Sequence, residues 1–423
     1  MKKLLAGLLL FLLLPMWVAS ATAETQVVRL GQGDELFAQI EQLLTELKEI
    51  TGLEPLKKID YAMIDKAHVK KFLDDRIREY IKPEEIRAEE LTLKKFGFVP
   101  QDYDLAKATV ELMTEQAAAL YDFRKKKLFV IESAPDALQQ IALVHELAHA
   151  LADQHFNLEK YVDLANQSDD SATARMAVME GQATWLMSEY LARRTGQSLS
   201  TSPAILRLMS GAAEMAQGQF PVFDAAPLYM RETLLFPYSK GMLFQHAVYE
   251  KYGKKAFSEV FRNPPVSSQQ ILHPEKYFEG AKPTEPALQS VPSEKEFKEL
   301  TEGYVGELDH AILLRQYAGQ DAADSISTHW KGGRYKLLEH KKDRRAVLCY
   351  ASEWDTAQIA KAYFAHYQTV LKKKWKCMVV TSDADGAVKG KGDDGYFVLR
   401  LNGTQVTSIE GLESPDEAVG VLR

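Results

Sequence analysis

Hydrophobic residues recur at helical spacing through most of the first two thirds of the chain. Four early segments with this spacing predict helices: 35–50, 65–81, 83–96 and 102–121. Asp65 is a candidate N-cap for the second, and Gly97 follows the third where the polypeptide is expected to turn. Further helices are predicted over 135–153 and 171–194, with more helical segments to about residue 252.

A second pattern, of short apolar runs, is typical of strands. One run, 128–131, lies within the helical region and predicts an isolated strand. After a Pro-rich stretch at 283–293, four more runs surround an amphipathic helix at 355–371: 336–338, 346–348, 378–380 and 396–399. We therefore expect an α+β protein with a mainly helical domain over 24–300. A smaller α+β accessory domain over 305–423 is expected to fold independently of it.

The first residues have the pattern of a secretory signal peptide. Lys2 and Lys3 precede an apolar run, and Ala21 and Ala23 provide small residues before Glu24. The run is shorter than the roughly 20 residues that a membrane-spanning helix needs. We expect residues 1–23 to be removed and the protein to be exported to a periplasmic or extracellular location, with no stable membrane span after cleavage.

Composition narrows the range of functions. In 423 residues, 46% are hydrophobic, enough to build packed cores and to exclude a disordered chain. The formal net charge is −7, so there is no basic footprint for nucleic acid, and no nucleic-acid partner is expected. Two cysteines exclude a disulfide scaffold, although Cys349 and Cys377 could pair in an oxidising compartment.

The strongest chemical signal is His145-Glu146-Leu147-Ala148-His149 inside the predicted helix at 135–153. Residues four apart on a helix point in directions that differ by only about 40°, so both imidazoles can face one ion. Glu146 lies beside them, where it can take a proton from a zinc-activated water. This H-E-x-x-H spacing is typical of zinc peptidases. A buried helix face with these side chains needs a compensating partner, and a metal ion provides one.

Two residues could be the third metal ligand. His155 would complete H-E-x-x-H-x-x-A-x-x-H, which resembles the metzincin pattern except that Ala152 replaces its glycine. On a continuing helix His155 points about 120° away from His149, and Ala152 favours continuation. Glu180 is a lone acid in an apolar helical run, followed by Gly181, which permits close approach of two helices. This geometry favours Glu180 over His155.

His145 to His149, followed by Glu180-Gly181-Gln182-Ala183-Thr184, resembles the gluzincin branch of the zincin metallopeptidases. The chain is also similar, over parts of 85–280, to exported bacterial proteins that carry this motif. The resemblance implies a Zn²⁺ ion held by His145, His149 and Glu180, with Glu146 as the general base of peptide hydrolysis. It also implies that strand 128–131 is an exposed edge that binds an extended substrate.

One position departs from the gluzincin pattern. Many gluzincins place an acid four residues after the ligand glutamate to orient the first histidine, and here that residue is Thr184. Three aspartates are candidates for the orienting role: Asp163, Asp169 and Asp170. For stabilising the oxyanion, the candidates are Tyr238 and His273, which lie in polar islands that are typical of loops.

We therefore expect an exported zinc metallopeptidase that acts on a peptide or protein substrate. One alternative is a catalytically silent zinc-binding scaffold or chaperone of the envelope, although Glu146 is intact. The other is a zinc hydrolase that acts on a non-peptide amide or ester. The sequence leaves the oligomeric state and the role of the C-terminal domain open.

Overall fold

The computed structural model describes residues 34–116, 119–131, 136–164, 168–215, 218, 220–292, 294–415 and 417. The predicted signal peptide, 1–23, lies outside this range. The fold is α+β, with helices dominating up to residue 292 and an antiparallel sheet after it, which confirms the predicted class at this level. Among the described residues, none of the helices has the length and apolar character needed to cross a membrane.

The early helices follow local sequence signals closely. Asp65 caps the second helix by accepting a hydrogen bond from the His68 amide. The third helix begins at Pro83, which suits the first turn, and ends before Gly97, whose φ of 80° lies in the left-handed region. The four helices are α1 (Asp34–Thr51), α2 (Lys66–Tyr80), α3 (Pro83–Phe96) and α4 (Leu105–Gln116).

A three-stranded sheet lies beside these helices and corrects two predictions. It consists of β1 (Asp60–Ile64), β2 (Ala119–Asp122) and β3 (Lys127–Ile131), in the order β1-β3-β2. The helix predicted over 102–121 is shorter, because Tyr121 belongs to β2 and pairs antiparallel with Leu128. The predicted edge strand is in fact central, since β1 pairs with it in parallel on its other side. The edge strands are β1 and β2.

Two long helices form the centre of the helical region. They are α5 (Asp136–Phe156) and α7 (Asp169–Arg194), which pack together and are joined by α6 (Leu158–Asp163). The helices that follow are α8 (Pro203–Met215), α9 (Pro221–Ala225), α10 (Leu228–Tyr252), α11 (Ala256–Arg262), α12 (Ser268–Leu272) and α13 (Pro274–Phe278).

Gly181 permits a close approach of backbones, but with α10 rather than with α5. A Cβ added at Gly181 would overlap the backbone of Gly241, and one added at Gly241 would overlap the Ala177 carbonyl oxygen. The α7–α10 crossing is therefore fixed by main-chain contact. This crossing brings α10 against the segment of α7 that carries Glu180.

The C-terminal region is a seven-stranded antiparallel sheet with the order β4-β5-β6-β10-β9-β8-β7. Along β6, Leu348 and Tyr350 face the main core, whereas Val347 and Cys349 face a smaller one. The strands are β4 (Phe297–Tyr304), β5 (Trp330–His340), β6 (Ala346–Trp354), β7 (Val379–Ala384), β8 (Ala387–Gly392), β9 (Gly395–Asn402) and β10 (Gln405–Leu412). The helices are α14 (Glu307–Ala318), α15 (Gln320–Ile326) and α16 (Ala357–Lys374).

The helical region and the sheet share one hydrophobic core. Residues from α1 to α16 belong to the same buried cluster. Polar contacts also join the two regions: Arg87 pairs with Glu339, and the Tyr335 hydroxyl donates to Asp169. The predicted limit of the first domain, residue 300, lies inside β4, and the independent folding of the two regions stays a prediction. Cys349 and Cys377 are free thiols in this structure.

Candidate metal centre

Helix α5 places His145 and His149 one turn apart on its buried face. Their Nε2 atoms are 3.0 Å apart, and the two rings meet edge to face. Only 0% and 2% of their surfaces are exposed, and α5 packs against α7. Helix α5 therefore places the two imidazoles side by side on one face, as predicted.

Glu180 reaches the same point from α7. Its Oε2 atom lies 3.1 Å from His145 Nε2 and 3.5 Å from His149 Nε2. Among the described residues, these three are the one group of at least three potential metal ligands with their donor atoms within 4.8 Å of one another. His155 points elsewhere: α5 continues through it, and its Nε2 donates a hydrogen bond of 2.8 Å to the Glu54 carbonyl oxygen.

The three side chains fit a divalent metal of the zinc type. Two imidazole nitrogens and one carboxylate oxygen are a donor set that zinc takes in catalytic sites. Zinc–ligand bonds of about 2.0–2.1 Å at tetrahedral angles separate the ligand atoms by about 3.3 Å. The observed separations of 3.0, 3.1 and 3.5 Å lie on both sides of that value.

Burial and neighbouring groups shift the pKa values of His149 and Glu180. Burial lowers the pKa of His149 to about 4, so the imidazole is neutral near pH 7 and keeps a lone pair for a metal. Burial alone would raise the pKa of Glu180. At acidic pH, attraction to protonated His149 and hydrogen bonds with both imidazoles outweigh this effect of burial, so the pKa of Glu180 lies below its ordinary value. A neutral His149 imidazole beside the Glu180 carboxylate is a state that a metal can bind.

Glu146 lies on the side of this cluster that faces β2. Its Oε2 atom accepts a hydrogen bond of 2.7 Å from the Tyr121 amide, and its Oε1 atom is buried without a hydrogen-bond partner in the described part of the chain. Burial raises the pKa of Glu146 well above its ordinary value, and the charge of Glu180 adds to this effect. A carboxylate with a raised pKa and one vacant oxygen is suited to take up a proton.

The two candidates for oxyanion stabilisation lie in different places. Tyr238 is buried in α10 rather than in the predicted loop, and its ring stacks on His145 at 6.1 Å. Burial raises its pKa well above the ordinary value, and the charges of Glu180 and Glu146 act in the same direction. Its hydroxyl is therefore a protonated donor beside the cluster. His273 lies between α12 and α13, 2.7 Å from Glu307 of α14.

None of the three predicted aspartates hydrogen-bonds to the first histidine. Nδ1 of His145 is buried and has no hydrogen-bond partner among the described residues, and the same is true of Thr184 Oγ1. The aspartates have other contacts: Asp163 with Arg124, Asp169 with the Tyr335 hydroxyl, and Asp170 with the Ser268 amide. The predicted orienting role is wrong for these three, because their helices direct them toward other elements.

Two parts of the site escaped the sequence analysis. The Tyr121 amide was missed because a backbone donor has no signature in the residue type. Gly241 was missed as well, although a glycine inside an apolar helical run often marks a packing contact. This second signal was available in the sequence.

Comparison with known proteins adds one finding. A family model described as a domain of unknown function (DUF8575) matches residues 295–421, which covers the seven-stranded sheet and its helices. The matched segment does not include the metal cluster. No curated protein and no solved structure matches the chain.

Proposed function

We propose that this protein is an exported zinc metallopeptidase of the zincin type, resembling gluzincins. The observation that carries the proposal is the convergence of His145, His149 and Glu180 on one point, with Glu146 beside them. These three residues would hold zinc. When bound, zinc supplies a Lewis acid for a carbonyl oxygen and lowers the pKa of water toward neutrality.

The remaining roles fall to the protein's own side chains. Glu146 takes the proton of the attacking water on its vacant Oε1 and delivers it to the leaving amine. Tyr238, protonated and stacked on His145, donates a hydrogen bond to the oxygen on which negative charge develops. The buried surroundings strengthen both interactions, because the local dielectric is low.

The substrate we propose is a peptide or a protein segment in extended form. The strand next to the site is β2, whose Tyr121 amide already contacts Glu146. An extended peptide beside β2 would be held by backbone hydrogen bonds to positions other than the Tyr121 amide, which Glu146 occupies, and such bonds tolerate many sequences. Export rests on the sequence pattern of residues 1–23 alone.

One observation favours a second candidate function. His145, Glu146, His149 and Glu180 are each at most 3% exposed. A site so enclosed suits a zinc ion with a structural role in a catalytically silent scaffold, or a small amide or ester substrate. The scaffold would cleave no peptide bond and would not need Glu146. The hydrolase would cleave a small amide or ester instead of a peptide.

The experiment compares the wild type with Glu146→Gln. Zinc content is measured by mass spectrometry, and hydrolysis is followed with a mixed peptide library and with small amide and ester substrates. The substitution keeps size and removes the base, so zinc content should be unchanged while peptide turnover falls by about 10²–10⁴-fold. Equal turnover in the two zinc-loaded proteins, or no peptide cleavage by the wild type, would reject the peptidase.

A further inference from the structure

A cavity of about 210 Å³ lies at the junction of the helical region and the sheet, between α3, the first turn of α7 and β4. Its lining includes exposed Glu85, half-buried Glu89, and buried Asp169 and Asp309, so it extends from the surface into the interior. None of the residues of the metal centre lines it. The volume is smaller than the roughly 300 Å³ at which drug-sized pockets begin, and suits a ligand of amino-acid size.

The charge of the lining has one sign. Glu85, Glu89, Asp169 and Asp309 line the cavity, and no lysine, arginine or histidine is among its lining residues. Walls of one charge focus a potential inside a cleft and exclude ligands of the same sign. The cavity therefore selects against anions and favours a cation.

The two deeper aspartates are held in place by tyrosines. The Tyr335 hydroxyl lies 2.9 Å from Asp169 Oδ2, and the Tyr229 hydroxyl lies 3.1 Å from Asp309 Oδ1. Burial raises the pKa of both tyrosines well above the ordinary value, so each hydroxyl remains a proton donor to its aspartate. The negative charges are thus fixed before any ligand enters.

Aromatic rings distinguish between kinds of cation. Phe96, Phe98 and Tyr304 line the same cavity, and ring faces attract organic cations while accepting an apolar stem. A divalent metal would instead need converging oxygen atoms. Among the described residues, only His145, His149 and Glu180 bring three ligand atoms within 4.8 Å of one another, so the carboxylates of this cavity do not converge as a three-ligand metal site would.

We propose that this cavity binds a small organic cation: an alkyl ammonium or guanidinium group on an apolar stem, of the size of a lysine or arginine side chain. The buried carboxylates bind the charged group, and the aromatic rings pack on the stem. The same chemistry is carried by a free amine of this size and by a basic side chain of a polypeptide. The site goes beyond the proposed peptidase activity and does not depend on it.

Calorimetric titration of the purified protein tests the ligand class. The probes are agmatine, the amides of N-acetyl-lysine and N-acetyl-arginine, a short peptide with one internal lysine, and the neutral amide of N-acetyl-norleucine. We expect at least one cationic probe to bind about ten-fold or more tightly than the norleucine amide, and to weaken as salt is added. Tighter binding of agmatine points to a free amine, and tighter binding of the peptide to a polypeptide side chain.

Variants locate the binding in this cavity. Glu85→Gln/Glu89→Gln removes two charges from α3 without touching the buried aspartates, and Thr301→Trp fills the cavity from β4. Glu84→Gln is the matched control, because Glu84 is exposed in the same turn of α3 and does not line the cavity. We expect about a ten-fold loss of affinity in the first two and none in the control.

Three results would overturn the assignment. The first is norleucine amide binding as well as the cationic probes. The second is an equal loss of affinity in Glu84→Gln and in the double variant. The third is that none of the cationic probes binds at millimolar concentration. This result would overturn the assignment even if Mg²⁺ or Ca²⁺ bound in the cavity instead.

Discussion

Two buried polar clusters, one in each region of the molecule, differ in how their charges are satisfied. In the sheet, Glu410 pairs with Lys374 and accepts hydrogen bonds of 2.8 Å from the Tyr367 hydroxyl and 3.0 Å from the Ser408 hydroxyl. In the candidate metal centre, buried atoms of His145 and Glu146 lack hydrogen-bond partners within the described chain. Both clusters are almost completely enclosed, so burial of charge alone does not mark a functional site.

A histidine from each region shows the same difference in how its ring nitrogens are satisfied. Both ring nitrogens of His310 have partners: Nδ1 donates a hydrogen bond of 2.7 Å to the Gly306 carbonyl oxygen, and Nε2 lies 2.6 Å from the Tyr350 hydroxyl. His145 instead faces another imidazole and a carboxylate, which are groups that share an affinity for metal ions. We infer that the sheet cluster stabilises the fold by itself, whereas the helical cluster is complete only with a ligand.

Removing a metal ligand should have the largest effect. Glu180→Ala deletes one of the three donors and leaves two, so the protein should lose its bound zinc, as measured by mass spectrometry after gel filtration. His155→Ala is the matched control and should keep the metal, because its ring bonds to Glu54. Loss of metal confined to the His155 variant would reverse the assignment of the third ligand.

Breaking the ion pair of the sheet should reduce stability without affecting the metal. Lys374→Met removes the cation that pairs directly with Glu410, and we expect a loss of about 3–5 kcal/mol in the free energy of unfolding by urea. Adding Glu410→Gln to this variant should recover part of the lost free energy of unfolding. Zinc content should equal that of the wild type. A loss below about 1 kcal/mol would show that the sheet cluster is not the stabilising one.

Removing the Tyr238 hydroxyl should reduce turnover at constant zinc content. Because the hydroxyl acts on charge that develops during reaction, kcat of Tyr238→Phe should fall by about 10²–10³-fold while KM changes little. Tyr249→Phe, on the same helix, is the control and should retain kcat. An equal fall in both variants would assign the effect to the packing of α10.

A methyl group at the helix crossing should have the smallest of these effects. Gly181→Ala forces α7 and α10 apart, which we expect to cost about 1–3 kcal/mol of stability by urea unfolding. Gly211→Ala lies in helix α8, where an added Cβ meets no atom within 4 Å, and should be neutral or stabilising by up to about 1 kcal/mol. Similar values for the two variants would contradict the main-chain contact at Gly181.

Local signals predicted the elements that they control. Pro83 and Gly97 fixed both ends of α3, and the four-residue spacing of His145 and His149 fixed their common direction. Glu180 was recognisable because a lone acid in an apolar helical run needs a buried partner. For α3 and the two histidines the physical cause acts within one or two turns of the chain.

The errors involve contacts between distant segments. Nothing near residue 128 indicates that β1, more than sixty residues earlier in the chain, adds to β3 and makes it central. Tyr238 follows Pro237, which is typical of a loop, yet packing against α7 keeps this stretch helical. The cavity between α3 and β4 depends on the shared core, which no local pattern describes.

The hydrogen bond between the Tyr121 amide and Glu146 also bears on aggregation. β2 is an edge strand of four residues, and unpaired edges are where sheets of separate molecules join. An incoming strand that paired with Tyr121 would have to displace a buried carboxylate at the enclosed surface of α5. The helix that carries the candidate metal ligands therefore covers the edge of β2 at Tyr121, and a substitution at Glu146 would change both the site and this edge.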